Sequence, residues 1–128
     1  TWGVVESCAP SASPAFWTQT PAVAAVSPRG YVVVAPDYPG LGSSGQHAYL
    51  VGRETARSVL DAVRAAREIA GAYAGDQFAV WGESQGGHAA LWTASQARAY
   101  APELRLVGTA AAAPPTDLTA NLRQAGDE

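Results

Sequence analysis

The stretch 81–88, WGESQGGH, places one serine between two glycines directly after an apolar run. A serine hydroxyl acts as a nucleophile when a base removes its proton and hydrogen-bond donors stabilise the oxyanion that forms. In the pattern Gly-x-Ser-x-Gly, Ser84 would occupy a sharp turn between a strand and a helix, with Gly82 and Gly86 on either side. The stretch therefore predicts that Ser84 is a catalytic nucleophile.

Such a turn, a nucleophile elbow, makes two further demands. Because strand and helix pack closely around the serine, Cβ atoms at Gly82 and Gly86 would collide, so we expect both positions to need glycine. The backbone N–H of Gln85, at the start of the helix, can point at the oxygen of a tetrahedral intermediate. Gln85 is the expected donor of half an oxyanion hole.

The bare pattern also has a purely structural interpretation. In a chain with 13 glycines, a match arises by chance in about one of ten such chains. A serine can also cap a tight turn without any catalytic role. The surrounding sequence favours function, because a strand is expected before Ser84 and a helix after it.

The chain around this turn alternates between strands and helices. Three apolar runs have the length of strands: 31–35, 77–81 and 104–112. Two longer stretches have helical apolar spacing: 53–70 and 85–99. A short helix is expected from Pro21, after the N-cap Thr20, to the breakers Pro28 and Gly30. This order predicts an α/β domain with a parallel sheet covered by helices.

On the helix 53–70, charged residues lie opposite the apolar face. We expect ion pairs between residues four apart, Arg57 with Asp61 and Arg64 with Glu68.

A second glycine-rich stretch, 40–45 (GLGSSG), matches the Gly-x-Gly-x-x-Gly pattern of dinucleotide sites. That site needs its glycines directly after a strand, with a helix opening through them. Here 36–39 (PDYP) intervenes and 46–52 has the composition of a loop. We therefore expect a sharply turning loop and no nucleotide site.

Composition and charge limit the classes of partner that the chain is expected to bind. Its net charge is −3, and its basic residues are scattered arginines, which argues against nucleic acid and anionic membranes as partners. No run approaches the roughly 20 apolar residues of a membrane span, and no stretch within 1–128 has the pattern expected of a signal peptide. No motif calls for a metal ion or an organic cofactor. Because the chain contains no methionine, we expect Thr1 to be a processed or truncated end and the chain to be a fragment.

Several segments together resemble the secretory lipase family of α/β-hydrolases. They are TWGVVESCAPS (1–11), DYPGLGSS (37–44), HAYLVGRETARSVLDAV (47–63), GESQGGHAALW (82–92) and YAPELRLVGTAAAAPPTDL (100–118). The resemblance covers nearly the whole chain. It implies that 1–128 is the central part of a single α/β-hydrolase domain, from a secreted triacylglycerol lipase or carboxylesterase acting on ester or lipid substrates through an acyl-enzyme on Ser84.

The resemblance also implies roles near the start of the chain. In that family the second oxyanion donor lies in the loop before the cysteine, which means Thr1 or Trp2 here, and the two remain alternatives. Family members tend to bond this cysteine to a later one, so a partner of Cys8 would lie outside this chain. The strand before this loop would lie between 31–35 and 77–81, so the sheet is expected to be incomplete here.

A hydrolase of this fold has its acid and its histidine after the nucleophile in the chain. His88 is one turn along the same helix, too constrained to reach the serine, and we expect it to be a packing or surface residue. His47 precedes the serine and is expected near the rim of the site. Asp117 follows a strand, but the resemblance places the acid later, and Asp37 and Glu83 match structural positions. We therefore expect the acid and the base outside this chain, which alone would be nearly inert.

Three alternatives remain open at this point. The elbow reports a nucleophile and not an acyl group, so a peptidase or an aryl esterase is possible. A non-catalytic hydrolase-like binding domain is a second alternative, decided by whether a histidine follows in the full reading frame. A nucleotide-binding protein is the third.

Overall fold

The computed structural model describes residues 9–16, 18 and 20–126. Its helices and strands are α1 (Pro21–Val26), α2 (Gly52–Glu68), β1 (Gln77–Glu83), α3 (Gln85–Tyr100), β2 (Arg105–Ala112) and α4 (Leu118–Gly126). Short 3-10 turns cover Pro10–Ala12 and Ser27–Arg29. None of the helices in these ranges has both the length and the apolar character needed to span a bilayer.

The sheet consists of β1 and β2, which run parallel, with Glu83 at the end of β1 opposite Ala112 at the end of β2. Along β1, exposed and buried residues alternate. Phe78 and Val80 belong to the core, whereas Trp81 is 48% exposed. This alternation is typical of a sheet with one covered face. The strands predicted at 77–81 and 104–112 are confirmed, and with them the parallel pairing.

The strand expected at 31–35 is absent from the structure, so the three-stranded βαβαβ prediction is wrong for the described residues. This segment has no regular secondary structure, and Val32 and Val34 are 48% and 41% exposed. A strand with two apolar faces forms only where neighbouring strands supply its hydrogen bonds. The only sheet in the described ranges contains β1 and β2 alone, so the segment has nothing with which to pair.

Helix α3 packs against both strands and against α2. Most core positions of α3 are alanines, which let the neighbouring elements approach closely. The buried core consists of Leu60, Phe78, Val80, Ala90, Ala97, Ala101 and Leu104. At the start of α2, a Cβ atom on Gly52 would overlap the indole ring of Trp92. These contacts hold α3 against both the sheet and α2.

Helix α2 begins and ends close to the predicted bounds of 53–70, but its predicted ion pairs are wrong. Arg64 binds Asp61 at 2.8 Å and Glu103 at 2.6 Å, and it also donates to the carbonyl of Tyr100 at 2.9 Å. Glu103 follows α3, so a rule based on spacing within one helix cannot anticipate it. The hydrogen bond to Glu103 raises the pKa of Arg64, and the same bond lowers the pKa of the Glu103 carboxyl.

Tyr100 joins α3 to the charged face of α2. The guanidinium carbons of Arg57 and Arg64 lie 5.2 and 4.9 Å from the centre of its ring. Its hydroxyl donates to Asp61 at 2.9 Å, and this bond raises the pKa of Tyr100. The predicted partner of Arg57, Asp61, is therefore used by Arg64 and Tyr100 instead, while Arg57 approaches Glu54 at 3.9 Å.

We expect Leu60→Ala to destabilise the whole protein by about 2–5 kcal/mol, because the Leu60 side chain is fully buried and its loss leaves a cavity. The matched control is Ile69→Ala, an aliphatic truncation just beyond α2 at a side chain that is 61% exposed. Its expected cost is about 0.5 kcal/mol or less. Urea unfolding measures both values, and equal losses would contradict this assignment of the core.

Candidate active site

Ser84 is the single residue between β1 and α3. Its backbone has φ +52° and ψ −116°, a conformation that costs a residue other than glycine about 1–3 kcal/mol. Two hydrogen bonds hold it there. Its N–H donates to the carbonyl of Ala112 at 2.9 Å, and its own carbonyl accepts from the N–H of His88 at 3.0 Å. The end of β2 and the first turn of α3 thus impose the strained turn.

The side chain of Ser84 is exposed and makes no hydrogen bond to the described residues. A serine that stabilises a helix start normally accepts a hydrogen bond from the second or third N–H of the helix. Ser84 is the N-cap residue of α3, yet its side chain makes no capping bond. The hydrogen bond that would define Ser84 as a helix cap is therefore missing. Its hydroxyl is exposed at the surface of the described residues.

The glycines of the turn contribute unequally. A Cβ atom on Gly82 would lie 2.8 Å from the Cα of Gly86 and closer still to its carbonyl group, so the close approach expected at Gly82 is present. The same expectation is wrong for Gly86, because a Cβ atom there would meet nothing within 4 Å. The contact is one-sided: position 82 faces the backbone of α3, whereas the missing side chain of Gly86 would face open space.

Gly87 is a second glycine with a steric role, and the motif does not single it out. A Cβ atom there would lie 2.8 Å from the carbonyl oxygen of Ala112 and 3.2 Å from the Cβ of Pro114. Gly82 and Gly87 together let α3 start against the carboxyl ends of both strands. The sequence indication was the second glycine of the pair after Gln85, which lies outside the Gly-x-Ser-x-Gly pattern.

Gln85 is the first residue of α3, and its backbone N–H has no acceptor among the described residues. At the start of a helix such a group carries the positive end of the helix dipole and favours an anion. This geometry fits an oxyanion donor. Thr1 and Trp2, the alternatives for the second donor, lie outside the described residues, as does Cys8.

His47 lies beside the elbow, in the loop between 36 and 51, as expected for a residue at the rim. Its Nε2 is 3.4 Å from the side-chain amide nitrogen of Gln85. Its ring stacks on Tyr38, with centroids 5.9 Å apart and planes inclined by 22°. Burial raises the pKa of Tyr38. The structure thus brings together two residues, His47 and Gln85, that the sequence analysis considered separately.

His88 is a packing residue, as expected from its place one turn along α3. It is only 7% exposed, and its ring centroid lies 6.1 Å from that of Trp92. Its Nδ1 is buried without a hydrogen-bond partner among the described residues, and burial lowers its pKa. Burial therefore favours the uncharged form of His88, and no hydrogen bond joins its ring to the hydroxyl of Ser84.

The carboxylates near the turn have structural partners or none. Asp117 accepts a hydrogen bond from the N–H of Ala120 at 2.9 Å, so it caps α4, a helix that the sequence analysis did not anticipate. Asp37 accepts from both the N–H and the hydroxyl of Ser11. Glu83 is exposed at the end of β1. Among the described residues, no carboxylate binds a histidine.

The stretch 40–45 forms turns, and no helix opens through its glycines, since α2 begins only at Gly52. Gly40 and Gly42 have φ of +83° and +69°. A Cβ atom on Gly42 would lie 2.7 Å from the Cα of Ala9, so the loop is folded against the beginning of the described chain. The expected turning loop is confirmed. Across the described ranges, no group of histidine, cysteine or acidic residues is arranged to hold a metal ion.

Comparison with known proteins gives a consistent result. A family model described as secretory lipase matches residues 11–128. Lipase 1 of Candida albicans is 37% identical over 97 residues, 72% of this chain and 20% of that protein. Lipase 7 of the same yeast is 36% identical over 124 residues, 89% of this chain and 28% of that protein. A secreted triacylglycerol lipase of Malassezia furfur is 32% identical over 97 residues, 74% of this chain and 24% of that protein.

The chain thus spans less than a third of the length of these relatives. No solved structure matches it.

We expect Gly82→Ala to lower the stability of the whole protein by about 1–3 kcal/mol, because the new methyl group would overlap the backbone of α3. Gly86→Ala is the matched control, since its methyl group would meet open space. It should change stability by about 0.5 kcal/mol or less. Thermal unfolding compares the two. A larger loss for Gly86→Ala than for Gly82→Ala would contradict the geometry of the turn.

Proposed function

The chain belongs to the secretory lipase family, and on this basis we propose that the whole protein is a secreted serine hydrolase that cleaves carboxylic esters of lipids. Its substrates would be triacylglycerols or related esters, and Ser84 would be the nucleophile. The printed names of the relatives, lipase and secreted triacylglycerol lipase, support the substrate class and the secretion.

One observation carries the assignment of Ser84. Its backbone is held at a strained φ of +52° while its side chain is exposed and unbonded within the described part of the chain. Strain of this kind persists only when the surrounding structure enforces it, and it concentrates at functional sites. Here Gly82 and the bond to Ala112 enforce it. A serine serving only as a cap would need neither the strain nor the exposure.

The proposed reaction follows the acyl-enzyme route of serine hydrolases. A histidine removes the proton of the Ser84 hydroxyl as Oγ attacks the ester carbonyl. The backbone N–H of Gln85 and a second donor at Thr1 or Trp2 hold the oxyanion of the tetrahedral intermediate. The histidine then protonates the departing alcohol, and water hydrolyses the acyl-enzyme in the same way. The proposal requires neither a metal ion nor an organic cofactor.

We place residues 1–128 in the central part of a single α/β-hydrolase domain, with the catalytic acid and histidine in other parts of the whole protein. The parallel strands β1 and β2 under α3 fit this fold. The uncovered apolar segment 31–35 also fits it, since such a segment needs a further strand as its neighbour. The buried position of His88 and the capping role of Asp117 support the external placement of both groups.

We expect Ser84→Ala to reduce ester hydrolysis by the whole protein by about a millionfold in kcat, the loss typical of a removed nucleophile. Ser95→Ala on the exposed side of α3 is the matched control and should retain activity within about twofold. Turnover of a p-nitrophenyl ester measures both variants. Residual activity of Ser84→Ala close to that of Ser95→Ala would overturn the assignment of the nucleophile.

A substrate panel separates the lipase proposal from other serine hydrolases. We expect kcat/KM to be at least about a hundredfold higher for long-chain acyl esters than for matched peptide amides, because the proposed substrate is a lipid ester. The reverse preference would indicate a peptidase, and hydrolysis restricted to aryl acetates would indicate an aryl esterase. Binding of esters without turnover would indicate a non-catalytic domain.

A further inference from the structure

The loop between 36 and 51 is built so that His47 has a fixed place beside α3. Gly40 is buried, with φ +83°, and a Cβ atom there would lie 2.9 Å from the Cα of His47. The ring of His47 contacts those of Tyr38 and Tyr49, at centroid distances of 5.9 and 6.0 Å. Backbone and side-chain contacts therefore both restrict the imidazole.

The two ring nitrogens of His47 have partners that fix its tautomer. Nδ1 lies 3.4 Å from the carbonyl oxygen of Pro39, which can only accept a hydrogen bond, so Nδ1 carries the proton. Nε2 is then an acceptor, and it faces the amide nitrogen of Gln85 at 3.4 Å, which can only donate. A hydrogen on Nδ1 and a free lone pair on Nε2 satisfy both contacts together.

We propose that His47 is a positioning residue for the nucleophile: it holds the side chain of Gln85 away from Ser84. This inference rests on the proposed role of Ser84. Gln85 follows the nucleophile directly and carries an amide oxygen that could accept a hydrogen bond from the Ser84 hydroxyl and so compete with the catalytic base for that hydrogen. The hydrogen bond to His47 instead holds the amide group of Gln85 against the loop between 36 and 51.

The same contact steadies the first residue of α3. The backbone N–H of Gln85 is the proposed oxyanion donor, and its direction depends on the conformation of that residue. The contact with His47, 38 positions away in the sequence, restricts the side chain of Gln85 and with it the conformation of that residue. His47 would act in this way without contacting the substrate. We therefore expect His47 to affect the chemical step more than substrate binding.

The experiment is a double-mutant cycle on ester hydrolysis by the whole protein, with a p-nitrophenyl ester as the probe. His47→Ala and Gln85→Ala should each lower kcat by about tenfold, the size expected of one lost hydrogen bond, with KM within about twofold. Because both changes remove the same contact, the double variant should be no slower than the slower single variant. Losses that multiply would overturn the coupling.

Two conservative variants separate positioning from loop anchoring. Glutamine at position 47 places an acceptor near Nε2 and can still serve Gln85, whereas asparagine places a donor near Nδ1 and can serve only Pro39. His47→Gln should retain kcat within about threefold of the original protein, and His47→Asn should resemble His47→Ala. Rescue by asparagine and not by glutamine would show that His47 acts only through the loop.

The controls distinguish the two proposals. Thermal unfolding verifies that each variant is folded before its kinetics are compared. Absence of hydrolysis by the folded original protein would overturn both the proposed function and the role of His47. If the unsubstituted protein hydrolyses the ester but the fold losses in kcat of the two single variants multiply in the double variant, only the role of His47 is overturned.

Discussion

The close approach of β1 to α3 is the constraint on which the rest of the structure depends. The chain must pass from strand to helix within one residue, and only glycine at position 82 lets the backbone of α3 come so near. Ser84 then takes a conformation that it would not adopt alone, since the bonds to Ala112 and His88 leave no other. The packing of α3 against the sheet and α2 offsets the strain, because those contacts bury the core.

The same constraint explains why one short segment combines structure and proposed chemistry. Gly87 lets α3 start directly above the end of β2, so Ser84 lies at the carboxyl edge of the sheet, where ligands of parallel sheets bind. The N–H of Gln85 has no acceptor among the described residues, because the first N–H groups of a helix have no intrahelical partner. The other face of the sheet, with Trp81 and Val107 at 48% and 57% exposure, is uncovered in the described residues. Such a face is what we expect of part of a larger α/β domain.

Local sequence predicted the elements around Ser84 within one or two residues, because apolar periodicity and the glycine spacing act over short distances. It failed at 31–35, where an apolar run becomes a strand only if neighbours are present. It failed for Arg64, which prefers Glu103 across the fold to Glu68 on its own helix. Local sequence also could not predict the contact between His47 and Gln85, since the loop brings together residues 38 positions apart. The motif correctly predicted a tight turn at Ser84 and a close approach at Gly82. It also predicted a close approach at Gly86, whereas the second close approach is at Gly87.

The most direct test of Ser84 as an activated nucleophile is covalent labelling of the natively produced protein with a fluorophosphonate, followed by mass spectrometry of its tryptic peptides. Cleavage after Arg67 and Arg98 releases the peptide 68–98, which contains both Ser84 and Ser95. Our account predicts one phosphonyl adduct on this peptide, located on Ser84 by fragmentation and absent after heat denaturation. An unlabelled peptide from folded protein, or an adduct on another serine, would contradict it.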